Sequence, residues 1–89
     1  MGRAVRITVF GDVQGVGFRG FIKHLASIYG LKGYVRNNFD GSVEIHVEGD
    51  QKSVQSFIDS LRVAKEYEIW DIVVVEVSPR EYEGFHIVP

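Results

Sequence analysis

An α+β sandwich is the fold class that this 89-residue sequence predicts: an antiparallel sheet with two helices on one face and a short extra C-terminal strand. Three observations predict it. Apolar and polar residues alternate in some segments, as in half-buried strands, and apolar residues recur at helical spacing in two others. The segments follow one another in the order βαββαβ. In that split βαβ arrangement strands one and two run parallel with strand three between them, and both helices cover one face.

Val5, Ile7 and Val9 alternate with Arg6 and Thr8 in the first strand, which ends at Gly11. After a loop rich in glycine, Phe18, Phe21, Ile22, Leu25 and Tyr29 recur at helical spacing, with Gly30 where a helix C-cap falls. Gly33 to Asn37 reads as the second strand, and Asn38, Phe39, Asp40 and Gly41 carry hairpin-turn chemistry. Val43, Ile45 and Val47 alternate with Glu44, His46 and Glu48 in the third strand. Asp50 is the expected N-cap of a second helix with Val54, Phe57, Ile58 and Leu61 on one face. Lys65 to Glu68 reads as a polar connection and Ile69 to Val77 as a fourth strand, apolar on both faces through Val73 and Val74. Pro79 breaks that strand, and Phe85 to Val88 supply the short last one.

One domain over residues 1–89 is expected at this length. A net charge of -2 argues against a nucleic-acid partner, which asks for a basic face. With no cysteine there is no disulfide, thiol nucleophile or thiolate metal site. Arg3 and Arg6 interrupt any apolar run at the N-terminus, so neither a signal peptide nor a membrane span is expected there. The chain reads as a cytoplasmic monomer with no membrane partner.

The strongest chemical signal is the loop Asp12 to Arg19, between a strand and a helix N-terminus. Its glycines, Gly15 and Gly17, let successive N–H groups turn inward into a nest, and the helix start adds open donors. Arg19 in the first turn offers a planar fork matched to phosphate. From residue types alone the segment is equally a glycine-rich turn with Arg19 pointing to solvent. Because strands one and two end on the same edge, two strand spacings apart or roughly 10 Å, the loop is expected near Asn37.

Two look-alikes fail. Gly15, Gly17 and Gly20 satisfy G-x-G-x-x-G, but strands two and three are joined by a short turn where a dinucleotide fold needs a crossover helix. Lys32-Gly33-Tyr34 and Phe39 match the ends of an RNA-recognition signature. Its middle is broken by Val35, Arg36 and Asn37, and it falls on strand two where strand three is required.

The run Gly11-Asp12-Val13-Gln14-Gly15-Val16-Gly17-Phe18-Arg19, followed by Gly30 to Asn37, Asp40 to Glu44, Glu48-Gly49 and Phe85-His86-Ile87, resembles the acylphosphatase family across essentially the whole chain. The resemblance implies a ferredoxin-like α/β sandwich that hydrolyses the carboxyl-phosphate bond of small acyl phosphates, with inorganic phosphate as product and inhibitor. It also implies that Arg19 binds phosphate and that Asn37 positions the attacking water. Backbone N–H groups of Gln14, Gly15, Val16, Gly17 and Phe18 would complete the cradle. No cofactor and no metal are implied. That fits a sequence without a cysteine nucleophile, a metal-ligand spacing or a histidine in the loop. Such a site expels only a good leaving group, as the carboxylate of an acyl phosphate is. The alternative is a non-catalytic anion-binding or regulatory module of the same fold.

Two positions depart from the family's pattern. Asp12 stands where a basic residue is common. At roughly 8 Å and an effective dielectric near 20 its charge costs phosphate binding about 2 kcal/mol, and nothing if it faces away. Val63 to Trp70 lacks the Gly-Pro often found before strand four, which bears on that loop's conformation and on substrate access. Elsewhere, His46 with Glu44 and Glu48 is read as a solvated sheet face, not a metal cluster. Glu66, Glu68 and Asp71 are read as an exposed loop, Trp70 and the six phenylalanines as core, and Asn38 as a turn residue. His24 and His86 have no evident partner.

Overall fold

Val5, Ile7 and Val9, the apolar half of the first alternation, are fully buried, and so are Val43, Ile45 and Val47 in the third. In the computed structural model, which describes all 89 residues, these six face each other in register across the centre of the sheet. The elements are β1 (Gly2–Asp12), α1 (Phe18–Ile28), β2 (Lys32–Asn37), β3 (Val43–Asp50), α2 (Gln51–Arg62), β4 (Glu68–Glu76) and β5 (Phe85–Ile87). The sheet order is β4-β1-β3-β2-β5. The first four strands form an antiparallel sheet in the ferredoxin-like order, and β5 adds to the edge of β2 in parallel, pairing Val35 with Ile87.

Each helix turns one stripe to the same face. Phe18, Ile22, Leu25 and Ala26 of α1 and Val54, Phe57, Ile58 and Leu61 of α2 join the strand residues in a cluster of 18 buried side chains. Burying a side chain of this size is worth about 1.5–3 kcal/mol, so the stripes fix the helices to the sheet. The ends are set by local chemistry. The Asp50 carboxylate accepts the Lys52 N–H at 3.0 Å as the α2 N-cap. Helix α1 closes with the Leu31 N–H on the Ala26 carbonyl (2.9 Å) and the Gly30 N–H on that of Ser27 (3.2 Å), a Schellman turn. No helix is long and apolar enough to cross a membrane.

The face away from the helices differs from the sequence reading. His46 and Glu48 are only 5% and 6% exposed, because the strap from Val77 to Gly84 crosses this face between β4 and β5. Their expected solvated surface is therefore a covered polar cluster. Trp70, expected in the core, is 73% exposed. It is skipped in the β1–β4 register, which jumps from Phe10–Asp71 to Gly11–Ile69, and β4 is an edge strand. Phe39 and Phe10 are also at the surface, and Val73 is half-exposed because it lies on the bare face. Glu68 and Asp71 are exposed as expected, but on β4 and not in a loop. His86 has a partner, the Glu83 carbonyl at 2.6 Å.

Candidate active site

β1 brings the chain to the rim of the sheet at Asp12, and α1 starts at Phe18. Buried Val13 and Phe18 pin the two ends of the intervening loop. Between them Gly15 (φ 75°) and Gly17 (φ 82°) take the left-handed backbone that side-chain-bearing residues disfavour. A β-carbon on Gly15 would meet no atom within 4 Å, so the backbone conformation, not crowding, calls for glycine there.

Gly17 is also the N-cap of α1, and no side chain caps the helix. The Phe21 N–H reaches the Gly17 carbonyl at 3.1 Å, which leaves the N–H groups of Phe18, Arg19 and Gly20 without a helical acceptor. No acidic residue occupies the first turn. Arg19 is half-buried and enters none of the chain's four ion pairs. With Gly15, Gly17 and Phe18 it lines a concavity of about 160 Å³, closed on one side by Ile87 of β5. Open donors, a positive helix end and an unpaired guanidinium therefore meet in one hollow, an arrangement suited to an anion.

Asn37 ends β2 on the same edge of the sheet, as the parallel course of β1 and β2 requires. Its Oδ1 is buried and has no hydrogen-bond partner. A buried polar atom left unpaired costs about 1–3 kcal/mol, so the fold carries an amide that it does not use for its own stability. Asn37 lines a second concavity of about 490 Å³ with Gln14, Asn38 and Pro89. The neighbouring Asn38 is spent on the turn, its N–H on the Ser42 carbonyl (2.8 Å) and its Nδ2 on the Ser42 hydroxyl (3.0 Å). The Ser42 hydroxyl and N–H also donate to Asp40 and hold its carboxyl below the usual carboxylate range.

Gln14 joins the two halves. Its Nε2 donates to the carbonyls of Asn38 (2.8 Å) and Ser42 (2.9 Å), tying the glycine loop to the hairpin that follows Asn37. Nothing local in the sequence signals this side-chain tie, because its partners lie 24 and 28 residues away. Gln14→Ala is expected to lower the melting temperature by several degrees, two lost hydrogen bonds being worth about 1–3 kcal/mol. Thermal melts check this. Gln14→Glu, which sets a carboxylate against two carbonyl oxygens, should be worse than alanine.

Asp12 is exposed, lines neither concavity and sits opposite Glu68 across the β1–β4 ladder, so its charge faces solvent screening. The segment before β4 is more than a polar connection. Tyr67 packs edge-on against Phe18 and on Phe21, both at 5.1 Å between ring centroids, and so props the start of α1. Pro89, which borders the second concavity, carries no sequence signal for a site.

The acylphosphatase family profile matches residues 5–87. The chain is 42% identical over 86 residues to an acylphosphatase of Thermotoga maritima, covering 96% of each chain. The crystal structure of acylphosphatase from Bacillus subtilis superposes with a TM-score of 0.91 at 40% identity, covering all of both chains. Full-length HypF in its phosphate- and nucleotide-bound form contains a segment that superposes at 0.93 with 41% identity. This chain spans 12% of that protein's length.

Proposed function

We propose that this chain, which belongs to the acylphosphatase family, hydrolyses the carboxyl-phosphate bond of small acyl phosphates by direct attack of water on phosphorus. The observation that carries the reading is Arg19, a guanidinium without an ion-pair partner set at the uncapped N-terminus of α1. The phosphoryl oxygens rest on the N–H groups of residues 14–18 and on the Arg19 fork. Asn37 holds the attacking water through its side-chain amide. As the water oxygen bonds to phosphorus, the bond from phosphorus to the acyl oxygen breaks. The carboxylate leaves with the electron pair and needs no proton. The water's proton passes to a phosphoryl oxygen, and the products are a carboxylate and inorganic phosphate. Catalysis here is positioning and charge stabilisation.

No group of three or more His, Cys, Asp or Glu side chains converges in the fold, and the reaction in this reading uses no metal. The protein acts in this reading as a single cytoplasmic domain and a monomer. A second reading is a non-catalytic anion-binding or regulatory module of the same fold. Hydrolysis of benzoyl phosphate with and without a chelator separates them. Turnover that the chelator leaves unchanged is expected. Chelator-sensitive turnover overturns metal independence, and no turnover overturns the enzyme in favour of the module.

A further inference from the structure

The face of the sheet away from the helices holds a second hollow, between the sheet and the strap. It has a volume of about 400 Å³, and its lining contains Arg6, Tyr34, His46, Ser78, Arg80 and Tyr82 but no carboxylate. Arg6 lies six residues before the start of the glycine loop on an extended strand, or roughly 20 Å away, and the two hollows share no lining residue. The hollow is thus separate from the site of Arg19.

The arginines give the first argument. Arg3 is held by Glu76 and Arg36 by Glu44, and Arg62 lies in the last turn of α2, where a cation complements the helix dipole. Arg6 and Arg80 have no carboxylate partner, although the chain carries a net charge of -2. Arg6 and Arg80 bring two positive charges to one hollow, and a bound anion there is favoured by both.

The second argument is the construction of the wall. The buried Glu48 carboxylate accepts the Arg80 N–H (2.8 Å) and the Tyr82 N–H (2.7 Å), and its third partner is His46 Nε2 (2.8 Å). Burial opposes the charge on Glu48, but these donors outweigh it and hold the carboxyl below its usual range. Glu81, between the two clamped residues, is the one non-glycine residue with positive φ, at 58°. A side-chain-bearing residue adopts this backbone only where its surroundings impose it. The His46 ring stacks on Tyr34 at 5.7 Å and meets Tyr82 edge-on at 5.0 Å, so the aromatic part of the lining is fixed as well.

We propose that this hollow is a second anion site that takes a small organic phosphate, its phosphate between Arg6, Arg80 and Ser78 and its organic part against Tyr82. Two planar forks match a dianion, and a hollow of this volume lies within the range of about 300–1,000 Å³ usual for small-ligand sites.

The test is amide NMR of the intact protein titrated with inorganic phosphate and with phenyl phosphate, first as wild type and then as Arg19→Ala. In Arg19→Ala the amides of Arg6, Arg80 and Tyr82 should still shift saturably, more tightly for phenyl phosphate. Arg6→Gln and Arg80→Gln should each weaken that binding by about tenfold or more, as expected for a lost charge-assisted contact. In both variants the loop amides should still answer to phosphate and benzoyl phosphate hydrolysis should stay at the wild-type rate. The proposal is overturned if these amides stay still in Arg19→Ala. It is equally overturned if sodium chloride at equal ionic strength reproduces the shifts, or if they persist unweakened in the two glutamine variants. Phenyl phosphate binding no tighter than inorganic phosphate would overturn the organic ligand.

Discussion

Replacing Arg19 with alanine is expected to lower kcat/KM for benzoyl phosphate by about three orders of magnitude or more, the scale of losing an arginine or a key donor at a transferring phosphoryl group. The expectation rests on the position of Arg19 in the uncapped first turn of α1. A cation is out of place at the positive end of a helix unless an anion sits beside it. Inorganic phosphate should lose its competitive inhibition, and the amides of Gly15 to Gly17 should no longer respond to it. Arg19→Lys should recover little, because an ammonium is a point charge and cannot reproduce the planar fork. Wild-type inhibition by phosphate in Arg19→Ala would remove Arg19 from the site.

Asn37→Ala should show a different pattern. A group that orients the attacking water acts in the transition state, so kcat and kcat/KM should fall together by about two to four orders of magnitude. Phosphate should inhibit Asn37→Ala as it does the wild type, and the loop amides should still respond. Asn37→Asp keeps the shape but sets a negative charge against the phosphoryl oxygens, so it should impair binding as well. Asn38→Ala is the control. It removes the bond from Asn38 to the Ser42 hydroxyl, worth about 1 kcal/mol, or some 4–8 °C in melting temperature, and should leave kcat close to wild type. An inactive Asn38→Ala beside a normal Asn37→Ala would shift the water-positioning assignment by one residue.

Much of this architecture is legible in the sequence. The alternation in β1 and β3, the helical stripes, the Asp50 cap and the Asp40-Gly41 turn are local patterns, and local patterns set local structure. Strand order follows from topology, and it is topology that carries Asn37 to the edge where the glycine loop ends. What escapes the sequence depends on distant partners. Glu48 looks like one more outward residue of an alternating strand until the strap, 32 and 34 residues further on, sets the Arg80 and Tyr82 N–H groups on its carboxylate. The strap has no regular secondary structure and so no periodicity that would announce its course. Trp70 reads as core by composition, but the irregular register of an edge strand turns it outward. Gln14 and Tyr67 are legible only once the loop, the hairpin and the segment before β4 are seen side by side. Burial shifts chemistry in the same way. Tyr34, an ordinary strand tyrosine in the sequence, is pushed up to about 12 by burial and by its hydrogen bond to the Glu44 carboxylate.

The attack of water on phosphorus is tested most directly by single-turnover hydrolysis of benzoyl phosphate in oxygen-18 water, with enzyme in excess and both products analysed by mass spectrometry. Phosphorus–oxygen cleavage puts one labelled oxygen into inorganic phosphate and none into benzoate, and this is the predicted result. Label in the benzoate carboxyl group, with unlabelled phosphate, would mean that water attacks the carbonyl carbon. The roles given to Arg19 and Asn37 would then be wrong.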